Sequence, residues 1–514
     1  MPTKIDAILS RMSIDEKLGQ MILASIEVSQ MNDASREFLC ANHIGNVILF
    51  GKNCAGRENL ARLNTEIQAA IQAATGLPAL IAIDQEGGCV TRLRSEATVF
   101  PSAMVVARTG DADNAYRVGR IMGDELRALG INLDLAPVLD TLTGSAERRY
   151  YGTTTNDAAQ YGCAMARGLR DAGVLACGKH FPGHEQTGLD THFGFVVDDT
   201  PSDLLMRCMT PFRRAMAEEL ASVMIAHVCY PALDASGMPA SLSKPIITNT
   251  LRGKLSFNGL VISDGLQMHA IVDRYGAPRG AVLAALAGCD LLITGNGGDN
   301  ADPNGRDVQT PCIGALRAAV EDGTLPMQVV DAAVRRILAC KLALDWTMPD
   351  PEIAVQDWSE HAAFADALAD TGVEVCDPQG LLPLPEGSLF IARASGTGIG
   401  VTEGDRITES FAPLAARPAG LLHGHSAMYH TVDELPALAD ACKAAPAVVF
   451  AFGLRAEGEE AAAAAAALAH ENNRFIAISL AEPDALTFYP FAAATISAWD
   501  RTEPAMRAVC GRMM

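Results

Sequence analysis

The chain is predicted to be an α/β protein, a (β/α)8 TIM-like barrel followed by a smaller α/β domain. Two observations predict this: a series of short apolar runs separated by helical stretches, and a second series of the same kind beyond a proline- and aspartate-rich break. The first series is MILASI (21–26), NVILFG (46–51), ALIAID (79–84), NLDLAP (132–137), GVLACGKH (173–180), SVMIAHV (222–228), GLVISD (259–264) and DLLITG (290–295). Continuous apolar runs, rather than alternating ones, are what strands buried on both faces of a parallel sheet require. Eight of them in succession predict a barrel. A doubly wound sheet has the same pattern, because periodicity does not report closure.

The helix candidate AAVRRILACKLAL (332–344) leads into DWTMPDPEIAVQDW, whose Pro and Asp content predicts a linker. Beyond it the alternation resumes with SLFIAR (388–393), AVVFAFG (447–453), RFIAISL (474–480) and ATISAWD (494–500). The expected division is therefore a barrel over 1–345, a linker over 346–358 and a second domain over 359–514. The alanine run from Ala461 to Ala467 predicts a helix packed closely on a sheet.

A chain of 514 residues supports two or three domains. Sixty-one acidic against forty basic residues, a net charge of −21 without a like-charge block, disfavours nucleic acid or anionic membrane as the partner. The start, MPTKIDAILSRMSIDEKLGQMI, has no apolar run behind a basic head. Ser13 and Glu16 instead predict a helix capping box, so the fold is expected to begin almost at once. No stretch reaches ~18 uninterrupted apolar residues, the length of a membrane span. Thirteen scattered cysteines without a CxxC predict reduced thiols, and a cytoplasmic location is expected.

In a parallel barrel the chemistry gathers at the carboxyl ends of the strands. Asp84 ends ALIAID, Lys179 and His180 end GVLACGKH, His227 nears the end of SVMIAHV, and Asp264 ends GLVISD. Solvated strand ends explain any one of these better than they explain all four. Asp264 is the only carboxylate between Gly259 and Met268. A carboxylate at a pocket rim can attack an anomeric carbon, ligate a metal, or cap the next helix. The segment GKHFPGHEQTGLDTHFGF (178–195) also leaves two readings open. His180, His184, His192 and Asp190 have spacings a zinc site can use. Alternatively Asp190 and His192, two apart, can set a carboxylate against an imidazole and poise the ring near neutral pH for proton transfer.

Taken together, IAIDQEGG (81–88), GINLDLAPVLD (130–140), RRYYG (148–152), GKHFPGH (178–184), MIAHVCYPALD (224–234), MPASLSKPIIT (238–248) and GLVISDGLQM (259–268) resemble family 3 glycoside hydrolases, in their β-N-acetylhexosaminidase branch. The resemblance covers most of residues 10 to 345; the later residues, with GLLPLP (380–385), resemble more faintly the α/β sandwich of many members. It implies Asp264 as catalytic nucleophile and Asp190 with His192 as the acid/base dyad. It implies Asp84, Arg92, Arg149, Lys179 and His180 as binders of sugar hydroxyls, and His227 as a pocket-lining residue. No metal or cofactor is implied. The implied reaction is retaining hydrolysis of terminal β-linked N-acetylglucosamine through a covalent glycosyl-aspartate, with cell-wall fragments as substrate and peptidoglycan recycling as setting.

The chain departs from relatives at Glu185-Gln186, where Gly-Asp is usual, at Cys89, where Arg is common, and at Gly265, where Asp is common. Rival readings are a β-N-acetylglucosaminide phosphorylase, since a neutral histidine would not repel phosphate, a β-glucosidase or xylosidase of the same family, and a sugar-binding module on an inactive scaffold. His423, His425 and His430 are read as loop or surface histidines.

Overall fold

The structure, a computed structural model, describes residues 4–141, 148–183, 194–295, 307–344, 357–393, 424–453, 455–480 and 482–514. The predicted capping box at Ser13 and Glu16 is present. Ser13 Oγ accepts the Glu16 N–H, and the Ser13 N–H donates back to the Glu16 carboxylate at 2.6 Å, capping the helix Ile14–Met21.

Eight strands follow: β1 (Ile22–Ser25), β2 (Asn46–Leu49), β3 (Leu80–Ile83), β4 (Leu133–Asp134), β5 (Leu175–Phe181), β6 (Ser222–Ile225), β7 (Leu260–Ser263) and β8 (Leu292–Ile293). They pair in parallel in the order β7-β6-β5-β4-β3-β2-β1-β8. The two ends of that order meet. Ile262 bridges Leu291, and the Leu266 N–H reaches the Ile293 carbonyl at 3.0 Å. The sheet therefore closes into a barrel, and the doubly wound alternative is set aside. Helices such as Arg57–Thr75, Ala112–Ala128 and Met327–Ala343 cover it, turning buried stripes inward and joining one apolar core. At the amino ends of the strands the buried Lys341 ammonium donates to Gln20 Oε1 at 2.7 Å and the Gly45 carbonyl at 2.8 Å, which seals the floor.

Beyond the barrel lie β9 (Val373–Cys376), β10 (Leu389–Arg393), β11 (His425–Tyr429), β12 (Val448–Phe452), β13 (Phe475–Ser479) and β14 (Ala494–Ala498). Their order is β9-β14-β13-β12-β10-β11, parallel throughout except for β9 against β14. Alternate residues face opposite sides. Phe390, Val449, Ile476 and Ile496 pack with Val509 and Met513, whereas Ile391, Phe450 and Phe475 pack with Ala461, Ala465 and Leu468. The alanine run is thus the small-residue face that lets helix Arg455–Glu471 lie close on the sheet. Helices on both faces give the smaller α/β sandwich. β9 and β11 were not among the predicted strands. VEVC and HSAMY are edge strands with exposed residues, so they carry no apolar run.

The two sheets are joined near the carboxyl end of the barrel. The Ser102 N–H donates to Asp500 Oδ2 at 3.1 Å and its hydroxyl to the Trp499 carbonyl at 3.1 Å. Arg148 lies over the Trp499 ring, 5.2 Å from its centroid. Among the described residues no helix is long and apolar enough to cross a membrane. None of the thirteen cysteines is in a disulfide.

Candidate active site

A pocket opens at the carboxyl ends of the barrel strands, and seven charged or titratable side chains line it: Asp84, Glu86, Arg92, Arg149, Lys179, His180 and Asp264. They come from the carboxyl end of β5 and from the segments after β3, β4 and β7, as the barrel rule requires. Ile48, Phe50, Leu135, Met224, Met268 and Ile293 supply apolar wall. Polar groups converging within an apolar wall are the ordinary make-up of a small-ligand site.

The segment after β3 is the most heavily braced. Residues Gln85–Gly87 and Val90–Thr91 form a short hairpin whose turn is Gly88, at φ +61°. A Cβ at Gly88 would meet the Ser102 Cα at 2.9 Å, so glycine is required both for the turn and for the approach. Gln85 is buried beneath; its Oε1 accepts the Arg92 and Leu93 N–H groups at 3.0 and 3.1 Å and so fixes the backbone of Arg92. Asp134, at the end of β4, accepts the Gln85 N–H at 3.0 Å. Burial raises the Asp134 carboxyl well above the usual range, against the hydrogen bond from Gln85 and the charge of Lys179.

Lys179 sits at the centre of an ion network. Its ammonium lies 2.7 Å from Asp84 Oδ1 and 2.5 Å from Glu86 Oε1, and its side chain is 2% exposed. Arg149 grips Glu86 with two parallel bonds, Nε to Oε2 at 2.8 Å and Nη2 to Oε1 at 2.7 Å. Arg92 stands 3.7 Å from Asp84. Burial pushes the Glu86 carboxyl up, but the charges of Arg149 and Lys179 outweigh it and hold the group down at about 2. Burial likewise disfavours the Lys179 ammonium, and Asp84 and Glu86 more than reverse that, so it remains protonated. Three cations (Arg92, Arg149, Lys179) face three carboxylates (Asp84, Glu86, Asp264), so the described lining is charge-balanced.

His180 is fixed by Asp140. The carboxylate receives the His180 N–H and lies 2.7 Å from ring Nδ1, which orients the imidazole. Asp264 lies just beyond β7, with Oδ1 accepting the Gly265 N–H at 2.7 Å. His227 differs from its expected role: it is not among the lining residues but stands behind them, 1% exposed. Its Nε2–H donates to the Gly265 carbonyl at 2.9 Å, and Nδ1 pairs with Ser241 Oγ at 2.7 Å. It therefore holds the backbone next to Asp264 rather than the pocket wall.

Of the residues singled out in the sequence, Asp84, Arg92, Arg149, Lys179, His180 and Asp264 converge on this pocket. Asp190, His192, His184, Glu185 and Gln186 lie outside the described residues, as does His423. Glu86 and Asp140 were not foreseen. Glu86 is two residues beyond Asp84, and the two-residue period of extended chain puts both on one face, which is the signal that could have found it. Among the described residues no group of three or more His, Cys, Asp or Glu could hold a metal ion.

The comparisons with known proteins agree with this architecture. The model of the glycosyl hydrolase family 3 N-terminal domain matches residues 13–340. A protein from Alkalilimnicola ehrlichii named beta-hexosaminidase is 36% identical over 289 residues, covering 54% of this chain and 81% of its own. A solved glycoside hydrolase family 3 β-N-acetylglucosaminidase from Paenibacillus sp. superposes with a TM-score of 0.86 at 31% identity, covering 98% of this chain and 96% of that one, and thus both sheets. A β-N-acetylhexosaminidase from Beutenbergia cavernae superposes with a TM-score of 0.59 at 30% identity, over 65% of this chain and 99% of its own. Because the family match runs from the cap of the first barrel helix to the last one and takes in every barrel strand, the chain belongs to glycosyl hydrolase family 3 and is a glycoside hydrolase.

Proposed function

We propose that the chain is a retaining β-N-acetylglucosaminidase acting on terminal, non-reducing β-linked N-acetylglucosamine. The natural substrate we infer is a cytoplasmic cell-wall fragment, N-acetylglucosaminyl-anhydromuramic acid with or without peptide. The observation that carries the reading is Asp264 lining the same pocket as Asp84, Arg92, Arg149, Lys179 and His180. A polyhydroxylated ring needs several fixed donors and acceptors around it, and a nucleophile on the wall beside its anomeric carbon. The similarity to the Paenibacillus β-N-acetylglucosaminidase supports the choice of sugar.

In the first step Asp264 attacks the anomeric carbon while His192, oriented by Asp190, protonates the departing oxygen. A glycosyl-aspartate forms through an oxocarbenium-like transition state. Neutral His192 then takes a proton from water, which releases the sugar with retained configuration. The dyad rests on the sequence, since both residues lie outside the described ones. His227 acts through the Gly265 carbonyl, keeping the nucleophile's neighbour in position.

The reading is tested by turnover of matched aryl β-glycosides (N-acetylglucosaminide, glucoside, xyloside) with and without phosphate. Hydrolysis, fastest on the N-acetylglucosaminide, is expected. Sugar-1-phosphate appearing in phosphate buffer would replace it with phosphorolysis. The dyad is tested separately. His192→Ala is expected to slow natural substrates by about 10²- to 10⁴-fold, the usual worth of proton transfer. Aryl substrates with good leaving groups need less protonation and should suffer far less; equal losses on both would remove His192 from the acid role.

A further inference from the structure

Beside the candidate nucleophile stands a side chain that no part of the network above uses. Gln267 lines the pocket, is 4% exposed, and its Oε1 is buried without a hydrogen-bond partner among the described residues. A buried amide oxygen left unpaired is costly, so it persists where something else satisfies it. The polar atoms around it do not. Asp84, Glu86, Arg149, Lys179 and His180 are engaged with one another or with Asp140.

Gly265 explains how Gln267 reaches this position. A Cβ at residue 265 would lie 2.8 Å from Gln267 Nε2 and 3.0 Å from Oε1. The carboxamide is thus folded over residue 265, in space that any side chain there would take. Asp264 touches the same residue, its Oδ1 accepting the Gly265 N–H at 2.7 Å. The carboxamide and the carboxylate therefore both lie against one glycine, and all three residues line the pocket.

We propose that Gln267 is a specificity-determining residue whose carboxamide recognises the acetamido group on carbon 2 of the sugar. The inference rests on the reading that Asp264 attacks the anomeric carbon. The ring atoms next to that carbon are the ring oxygen, which has no proton to donate, and carbon 2 with its substituent. An acetamido N–H can donate to Gln267 Oε1, and the acetamido carbonyl can accept from Nε2, a pairing of two amides. A 2-hydroxyl offers a single group of different reach. The residue pair Gly265 and Gln267 would then supply discrimination at the position that separates N-acetylglucosaminides from glucosides.

The test compares wild type with Gln267→Leu on aryl β-N-acetylglucosaminide and aryl β-glucoside carrying the same leaving group. The variant is expected to lose about 10- to 100-fold more kcat/KM on the first than on the second. Its melting temperature should equal or exceed that of wild type, because an unpaired buried polar group has been removed; Gln267→Met gives the same comparison should the leucine variant fail to fold. An unchanged ratio of the two substrates in a turning-over enzyme overturns the role of Gln267 and leaves the hydrolase reading standing. Absence of turnover on both substrates by wild type overturns the hydrolase reading instead. Calorimetric binding of N-acetylglucosamine and glucose to wild type and variant then decides Gln267 by itself: selective loss of N-acetylglucosamine binding upholds it, and equal binding refutes it.

Discussion

Replacing Asp264 with alanine is expected to lower kcat on aryl β-N-acetylglucosaminide by on the order of 10⁴-fold or more, because the step that forms the covalent intermediate loses its nucleophile. The loss should fall on kcat more than on KM, since the pocket-lining residues proposed to hold the ring (Asp84, Arg92, Arg149, Lys179 and His180) are untouched. Stability should change little. Asp264 lies just beyond β7 and its carboxylate accepts the N–H of its own neighbour Gly265, so truncation disturbs no strand pairing. The variant also allows a stereochemical check. Azide fits the space of a missing carboxylate and can attack the same face, giving the α-glycosyl azide and restoring turnover when the leaving group is good. A variant that keeps wild-type turnover, or azide rescue yielding the β-product, would exclude Asp264 as the attacking group.

The barrel was legible because its strands are apolar on both faces, and each of the eight predicted runs overlaps an observed strand. Their lengths were less legible. NLDLAP contributes only Leu133–Asp134 as strand, and DLLITG only Leu292–Ile293, because pairing geometry and not apolarity ends a strand. Closure was invisible in principle, since it depends on Ile262 meeting Leu291 across the first and last members of the sheet. In the second sheet β9 and β11 escaped because an edge strand has one paired side and need not be apolar. For the site, ending strands in charged residues was sufficient to find Asp84, Lys179 and Asp264. It did not find Glu86, Asp140 or Gln267, which lie in loops beyond the strand ends and whose roles arise from partners remote in sequence. Asp140 meets His180 forty residues on, and Arg149 meets Glu86 across sixty-three. The charges themselves held a hint: Arg92, Arg149 and Lys179 could not share one buried site with Asp84 and Asp264 alone without a surplus of positive charge. His227 shows the opposite failure. The resemblance implied a pocket-lining residue, whereas its two nitrogens face Ser241 and the Gly265 carbonyl.

The same charge argument yields the second large effect. Glu86→Gln keeps the shape of the side chain but leaves Lys179 and Arg149 with one carboxylate fewer in a buried site. Removing one member of such a network costs about 3 to 5 kcal/mol, since the charges left behind are neither solvated nor paired. The variant should therefore melt well below wild type at pH 7. The pH dependence follows from the sign of the shift. Burial raises the Glu86 carboxyl, Arg149 and Lys179 overcome it, and the folded-state value is about 2, below that of an exposed glutamate. A carboxyl lowered in the folded state adds stability that is fully present above its unfolded value near 4.3 and disappears as pH falls towards 2. The gap between wild type and Glu86→Gln should accordingly be widest at neutral pH and close progressively below about pH 4.3. Catalysis should suffer as well, because Arg149 loses the two-point grip that aims its guanidinium into the pocket; a fall of about 10²-fold in kcat/KM is expected from misplacing one binding group. Melting curves of the two proteins between pH 2.5 and 8 are the measurement. A gap that stays constant across that range would mean that Glu86 contributes shape alone, and that the ion network does not hold the pocket together.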